Sequence, residues 1–189
     1  VLDYEELAGL IDREALERFR SSALHPNHPV IRGTAENPDI YFQHCESANP
    51  FYEAIPDIVQ DYMDRISAIT GRSYHLFDYY GASDADRVIV AIGSVTDICK
   101  EVSDALNENG EKVGVLNVHL YRPFSVKHFI DQLPESVKKI AVLDRTREPG
   151  AIGEPLFLDV QSAVTSSGRN IRVCGGRYGL GSKDVTPED

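Results

Sequence analysis

The chain is 189 residues long, 42% of them hydrophobic and 26% charged, an ordinary balance for a globular protein with a sizeable core. The formal net charge of −11 disfavours nucleic acid and membranes as partners, because binding either anionic surface needs a basic one. Cys45, Cys99 and Cys174 are odd in number and far apart, so they predict no disulfide framework and fit a reducing cytoplasm.

The first twenty residues predict one amphipathic helix, because their aliphatic residues recur at helical spacing. They are acidic, unlike a signal peptide, and start without Met, as a segment of a longer polypeptide would. The stretch Ser21–Tyr52 holds four prolines and few runs long enough for a helix or strand. It predicts an extended arm that lies over another domain. The expected anchors are its aromatic residues Tyr41, Phe42, Phe51 and Tyr52.

From Glu53 onward, helix and strand patterns alternate. Glu53–Thr70 predicts a helix that Pro56 breaks or starts, with Gly71 as its C-cap. The sequence Ser94-Val95-Thr96-Asp97 has the form of a capping box and would open a helix running to about Asn109. The other predicted helices are Ser125–Leu133 and Glu154–Thr165, and the predicted strands are His75–Tyr79, Arg87–Ile92, Val113–Val118, Ile140–Leu143 and Ile171–Cys174.

This alternation, with strands so apolar, predicts an α/β fold with a mostly parallel sheet and helices on both faces. His75–Tyr79 is short and aromatic, as expected of an edge strand. The residues from Gly175 onward are glycine-rich and polar and predict a linker. We therefore expect three parts: an N-terminal helix and arm over residues 1–52, an α/β domain over 53–175, and a linker over 176–189.

The segment Lys138–Val160 carries the clearest functional pattern. Its apolar run ends in Asp144-Arg145-Thr146-Arg147, and a Pro-Gly turn separates these residues from a second apolar-periodic run. This is typical of a buried parallel strand whose carboxyl end meets a polar crevice, where ligands and partner domains dock. The segment holds no nucleophile–base pair, no glycine-rich phosphate loop and no metal-ligand spacing. We therefore predict no catalytic, cofactor-binding or metal-ligating residue in this segment.

Cationic side chains recur at these predicted strand ends. Arg122 could hold a carboxylate or phosphate bidentately, or it could be a structural arginine at an interface, which is slightly favoured. Arg145 and Arg147 lie near the acidic Glu148, so local ion pairing alone could explain that cluster. Arg177 opens a glycine-rich stretch that predicts a rigid hinge. These five residues are the candidate interface or anion-binding positions.

Three other motifs favour structural interpretations. The turn before Ser94 could bind an anion on its backbone N–H groups, but a tight turn with an N-cap serine is favoured. His25 and His28 lie in a proline-rich loop and make a poor metal site. His44 and Cys45 are neighbours in sequence, whereas catalytic His–Cys pairs normally meet across a fold, so a surface role is favoured.

Four longer motifs resemble the pyruvate:ferredoxin oxidoreductase family, also called pyruvate synthase or pyruvate:flavodoxin oxidoreductase. They are HPNHPVIRGTAENPDIYFQ, HLYRPFS, AVLDRTREPGAIGEPLFLDV and GGRYGLGSKDVTP, and they occur in order over nearly the whole chain. The resemblance implies that residues up to Tyr52 trail from a pyrimidine-binding domain. It also implies that the rest is a three-layer α/β/α sandwich like the transketolase C-terminal domain. Its five-stranded sheet would have the order 1-3-2-4-5 with strand 1 antiparallel.

Enzymes of this family use thiamine diphosphate with Mg²⁺, [4Fe–4S] clusters and coenzyme A. They convert pyruvate oxidatively to acetyl-CoA and CO₂ and reduce ferredoxin or flavodoxin. The family's catalytic residues and cluster-binding cysteines have no match here, so the resemblance implies a scaffold or interface domain that is inactive alone. Its partners would be the remaining domains of a cytoplasmic, homodimeric parent. The alternative is an anion or coenzyme A-binding module that uses Arg122, Arg145 and Arg147.

Overall fold

The computed structural model describes residues 1–31, 33 and 35–189 and contains two compact units, Val1–Tyr74 and His75–Asp189. The first unit is helical. The long helix from residue 49 to 70, expected from its sequence to belong to the α/β domain, lies in this unit. The helices are α1 (Tyr4–Leu10), α2 (Arg13–Ser21), α3 (Pro38–Ser47) and α4 (Asn49–Thr70).

The single helix predicted for the first twenty residues is wrong, because the segment forms the two helices α1 and α2. Ile11 is extended between them (φ −79°, ψ 123°). The Asp12 carboxylate accepts a hydrogen bond from the Ala15 amide at 2.9 Å and so starts a second helix. The break was not visible in the sequence, because the apolar residues of both helices continue the same helical spacing.

The expected extended arm is wrong over α3 and the start of α4. Pro38 and Pro50 each lie in the first turn of a helix, where the missing N–H costs no intrahelical bond. Pro56 neither breaks nor starts α4, and it is the buried residue of that helix, so packing offsets its missing hydrogen bond. The C-cap prediction is confirmed: Gly71 has φ 70° and its N–H bonds the Ser67 carbonyl at 2.9 Å.

The second unit is built on one five-stranded sheet of order β1-β3-β2-β4-β5. Strand β1 is antiparallel to β3, and the other pairs are parallel. Helices cover both faces, so the α/β/α sandwich and the strand order implied by the resemblance are confirmed. The elements are β1 (Phe77–Gly81), β2 (Arg87–Ala91), α5 (Val95–Glu108), β3 (Val113–Val118), α6 (Val126–Asp131), β4 (Lys139–Asp144), α7 (Pro155–Ser167), β5 (Arg172–Arg177) and a 3₁₀ turn (Leu180–Ser182).

Two apolar clusters hold the helices to the sheet. On one face, Ala91 and Val115 pack with Val95 and Cys99 of α5. On the other, Phe77 of β1 lies edge-on to Phe129 of α6, with ring centroids 5.6 Å apart, and both side chains are buried. Because strands β2 and β3 are largely buried on both faces, they read as continuous apolar runs, which is why their pattern was clear in the sequence.

Two local predictions in this unit are wrong. The Ser94 side chain makes no capping hydrogen bond, so the capping box does not form. The prediction that a linker begins at Gly175 is also wrong, because strand β5 continues to Arg177. Beyond it, Tyr178 and Val185 pack against the α5-side cluster. Within the described residues, no helix is both long and apolar enough to cross a membrane.

Candidate functional site

The carboxyl ends of the parallel strands β2 to β5 lie at one edge of the sheet. In open α/β sheets this edge forms the usual ligand crevice. We call the residues that follow these strands the carboxyl rim. It consists of Ile92–Ser94, His119–Arg122, Arg145–Glu148 and Arg177–Gly179.

Asp144, the last residue of β4, anchors the start of α7. Its side chain is buried, and its two carboxylate oxygens accept hydrogen bonds from the Leu156 amide at 2.9 Å and the Phe157 amide at 3.0 Å. These amides lie in the first turn of α7, where backbone donors lack intrahelical partners. The negative charge also matches the positive end of the helix dipole. Asp144 is thus a structural cap supplied from outside the helix.

Glu154 fixes the loop between β4 and α7. Its Oε2 accepts a hydrogen bond from the Glu148 amide at 2.7 Å, and its Oε1 lies 3.3 Å from Nη1 of Arg177. Glu154 is buried, whereas the Arg177 side chain is 51% exposed, so water reaches the ion pair from the arginine side. The guanidinium of Arg177, a predicted interface or anion position, is therefore occupied by an internal carboxylate.

Arg145 holds the segment that follows β5. Its Nε donates to the Gly179 carbonyl at 3.2 Å. The neighbouring Tyr178 phenol is partly buried, and this burial is the main cause that raises its pKa. The predicted hinge at Arg177–Gly181 is thus bound to the rim at this point.

Arg122 binds to α7 through Asp159. Its Nη2 lies 2.7 Å from Asp159 Oδ2, and its guanidinium stacks 4.0 Å from the centroid of the Tyr121 ring. Its Nη1 also donates to the Tyr121 carbonyl at 3.2 Å. The sequence left open an anion-binding role and a structural role for Arg122. These contacts favour the structural role, because the guanidinium already has acceptors within the chain.

Tyr121 and Tyr79 should make the protein less stable at high pH. Burial, followed by a hydrogen bond to Asp159, raises the pKa of Tyr121 from 10.0 to about 12. Burial and the nearby Asp84 charge raise the pKa of Tyr79 to about 12 as well. An unfolded chain ionises its tyrosines near pH 10, so the stabilisation is complete below that pH and is lost as pH rises through 12.

The measurement is the free energy of unfolding against pH, followed by denaturant titration. We expect a fall between about pH 10 and pH 12 that is shallower in the Tyr79→Phe/Tyr121→Phe double variant. When tyrosinate absorbance of the folded protein is followed against pH, the step with the highest pKa should be absent in the same variant. An identical slope in both proteins would contradict this prediction.

Arg147 and Glu148 are two charged rim residues without an internal partner among the described residues. Both are exposed, and neither side chain makes a hydrogen bond or ion pair with the described part of the chain. A cavity of about 140 Å³ lies elsewhere on the rim, lined by Ser94, Arg145 and Lys183 among others. Arg145 and Lys183 thus line one cavity, although Lys183 pairs with Asp189 at 3.1 Å, and Arg122 and Arg177 are also paired internally.

Sequence reasoning missed a polar cluster where β1 meets β3. The Asp78 carboxylate lies 2.7 Å from Nδ1 of His75 and 3.3 Å from Nδ1 of His119. Nε2 of His119 faces the Asn117 side-chain amide at 2.7 Å. The antiparallel register of β1 and β3 sets Asp78 opposite Asn117, and no sequence motif indicates this pairing. The cluster ties the edge strand to the rim.

The histidine motifs of the helical unit are structural in geometry. The His28 amide donates to the His25 carbonyl at 2.9 Å, which closes a tight turn. His44 pairs with Glu36 at 2.7 Å and not with its neighbour Cys45. Among residues 1–31, 33 and 35–189, no three His, Cys, Asp or Glu side chains group as metal ligands would.

The described residues do not fit a thiamine diphosphate site either. Such a site needs an enclosed pocket for the ring and a metal-held diphosphate. In the described part of Val1–Tyr74, however, Pro56 is the only buried residue. The three cysteines are unpaired and separated, with Cys99 buried and Cys45 and Cys174 exposed, so they cannot form a four-cysteine cluster site. We therefore assign no catalytic step to these side chains.

Comparison with known proteins identifies the family. Residues 85–189 match the model of pyruvate:ferredoxin oxidoreductase core domain II. Residues 1–64 match that of the pyruvate flavodoxin/ferredoxin oxidoreductase domain described as thiamine diphosphate-binding. The first match covers more than half of the chain, and both agree with the resemblance found in the sequence motifs.

Named relatives align along nearly the whole chain. It is 63% identical over 189 residues, its full length, to pyruvate-flavodoxin oxidoreductase of Klebsiella pneumoniae. It is 57% identical over 187 residues, 99% of its length, to pyruvate:ferredoxin oxidoreductase of Moorella thermoacetica. It is 48% identical over 191 residues, 99% of its length, to pyruvate dehydrogenase [NADP(+)] of Cryptosporidium parvum. The aligned region spans 16%, 16% and 10% of these relatives, respectively. The chain therefore belongs to the pyruvate:ferredoxin oxidoreductase family and contains its core domain II.

Proposed function

We propose that this chain is a scaffold and interface segment of an enzyme that oxidises pyruvate to acetyl-CoA and CO₂ and passes the electrons to ferredoxin or flavodoxin. The chain itself would hold cofactor-bearing domains in position and would not touch the reacting atoms. Thiamine chemistry needs close alignment of cofactor and substrate, and rigid neighbouring domains supply that alignment. The observation that carries the proposal is 63% identity to a pyruvate-flavodoxin oxidoreductase along the full chain.

The chemistry of the carboxyl rim supports a structural role. The buried carboxylates next to the rim, Asp144 and Glu154, cap a helix and fix a loop. Its arginines at positions 122, 145 and 177 contact acceptors within the same unit. Groups committed in this way rigidify the sheet edge, as a domain that positions its neighbours requires.

The helical unit supports an interface role. Its aromatic residues are strongly exposed: Phe42 by 68%, Phe51 by 77% and Tyr52 by 60%. Large aromatic side chains left this exposed are typical of protein interaction sites. These three residues are among the predicted anchors of the arm, and we propose that they pack on the remaining domains of the parent enzyme. A cytoplasmic homodimeric parent completes the proposal, and the dispersed free cysteines support the compartment.

A segment exchange tests the proposal. We would replace the aligned 16% of the Klebsiella pneumoniae enzyme by this chain and measure pyruvate-dependent reduction of a viologen dye with coenzyme A present. We expect an assembled enzyme with an unchanged KM for pyruvate, because no residue of the segment touches substrate. A second exchange that carries Asp144→Ala should lower the yield of assembled enzyme and again leave that KM unchanged.

The isolated chain supplies the opposite test. With pyruvate, thiamine diphosphate, Mg²⁺, coenzyme A and a viologen, it should show no turnover. Turnover by the chain alone, or a correctly assembled exchange enzyme with an altered KM for pyruvate, would show that these residues take part in the chemistry.

The alternative is an anion or coenzyme A-binding module, which the free Arg147 and the cavity beside Arg145 and Lys183 favour. Calorimetry with coenzyme A and with pyrophosphate separates the two functions. Salt-sensitive micromolar binding that is lost in Arg145→Ala and in Arg147→Ala would support the module. Lys127→Ala, an exposed change on α6, removes one positive charge as each of these variants does and is the matched control for net charge.

A further inference from the structure

A shallow apolar groove lies on the α5 side of the sheet. We call it the β4–β5 groove, and its volume is about 300 Å³. Ile89, Leu106, Ala141 and Cys174 contribute its apolar lining, and Lys139 lies at its rim. No residue of this groove belongs to the carboxyl rim described above.

The groove exists because the helix layer on this face is incomplete. Helix α5 packs against β1, β2 and β3, whereas the opposite face carries both α6 and α7. The register pairs Ala141 of β4 with Cys174 of β5, so their side chains share the α5 side. Cys174 is exposed and Ala141 is only partly buried. Parallel strands are normally covered on both faces, so this half of the face lacks its cover.

The uncovered part of this face is short, because its end nearer the carboxyl rim is already covered. Towards the carboxyl rim, Tyr178 and Val185 already pack against this face. The uncovered stretch runs from Lys139 to Ala141 on β4, which is about 10 Å at the rise of a strand. About seven residues of α-helix have the same length. Two helical turns with an apolar stripe would fill it.

Charge at the groove indicates the chemistry of its occupant. Lys139 and Arg172 are register partners at its amino end, and both are exposed. Neither forms an ion pair with the residues that the structure describes, whereas Arg87, the register partner of Lys139 on β2, is already paired with Asp86 and Glu111. A local cationic edge beside an apolar floor complements a helix that is apolar on one side and acidic at one end.

We propose that the β4–β5 groove is a docking site for an amphipathic helix of another protein segment, with its acidic end on Lys139 and Arg172. The helix would complete the second layer of the sandwich over β4 and β5. This inference deepens the proposed scaffold role by naming a surface and its partner. Its test needs no oxidoreductase assay, so it can fail while the proposed function stands.

The probe is a synthetic 18-residue helical peptide with a leucine stripe and four glutamates in its first two turns. Its twin carries lysine in place of each glutamate. Calorimetry with the full chain at low salt should give a Kd of about 10–100 μM for the acidic peptide and at least fivefold weaker binding for the twin. Bound acidic peptide should also slow maleimide labelling of Cys174, because the thiol lies on the groove floor.

Two variants keep the test specific. Cys174→Glu places a carboxylate at an exposed position on the groove floor. It should weaken binding of the acidic peptide about tenfold. Lys139→Glu should weaken it about fivefold, while Lys127→Glu on α6 should have no effect. Thermal melts establish that each variant is folded.

Three results would overturn the proposal. One is equal affinity for the acidic peptide and its lysine twin, and another is binding that Cys174→Glu leaves unchanged. The third is self-association of the chain that Cys174→Glu abolishes, since the occupant would then be a second copy.

Discussion

Replacing Asp144 by alanine is expected to lower the free energy of unfolding of the α/β unit by about 3 kcal/mol. The substitution removes two hydrogen bonds from a buried carboxylate to the Leu156 and Phe157 amides. It leaves the buried Leu156 amide and the part-buried Phe157 amide without this acceptor, and it removes the charge that complements the helix dipole. Helix α7 packs on β4 and β5, so loosening its start weakens the sheet as well.

Chemical denaturation followed by circular dichroism measures this loss. Asp144→Asn should lower the free energy of unfolding by less, because the asparagine amide retains one acceptor oxygen for one of the two backbone donors. The matched control is Asp97→Ala in the first turn of α5, where the carboxylate is 83% exposed, and we expect a change below about 1 kcal/mol. A loss at Asp144 no larger than that at Asp97 would show that the external cap contributes little.

Gly114→Ala is expected to cost about 3 kcal/mol, because there is no room for a methyl group. A Cβ at this position in β3 would lie 2.0 Å from the Tyr79 hydroxyl oxygen and 2.5 Å from its Cζ. The Tyr79 ring cannot simply turn away, since its hydroxyl donates to the Ala82 carbonyl at 2.5 Å. The strand or the ring must shift, and either movement disturbs the β1–β3 pairing.

A double-mutant cycle isolates the clash. Tyr79→Leu removes the phenol and should recover much of the stability lost in Gly114→Ala, so the two changes are expected to be strongly non-additive. Gly9→Ala is the control, since a Cβ there meets nothing within 4 Å and alanine favours the helix α1. Additive effects of the changes at positions 79 and 114 would contradict the predicted contact.

The sequence predicts the positions of the strands well, but it predicts strand pairing and side-chain contacts poorly. Strands such as β2 are buried on both faces, so a continuous apolar run is a direct record of their environment. The antiparallel pairing of β1, in contrast, came from the family resemblance, because a short aromatic run carries no information about its partner. Local signals also fail where geometry overrides them: Ser94 has helical angles (φ −62°, ψ −25°), from which its side chain forms no cap.

The contacts of the candidate site are those between residues distant in sequence. Asp144 caps an amide 12 positions later, and His119 contacts a carbonyl 44 positions earlier. Periodicity and motif spacing describe neighbours along one element and cannot show such pairs. The candidate arginines were therefore found by residue type and position, whereas their internal partners became visible only in the structure.

Strand β5 has a consequence for how the protein behaves in concentrated solution. It is the last strand of the sheet, and its outer edge carries unpaired backbone groups. Such an edge can recruit a strand from a neighbouring molecule and start aggregation. Here Arg172 and Arg177 stand at its two ends, and Gly175-Gly176 lowers its tendency to extend a sheet. The exposed charge of Arg172, which has no ion-pair partner among the described residues, and the two glycines therefore disfavour pairing of this edge with a strand of a neighbouring molecule.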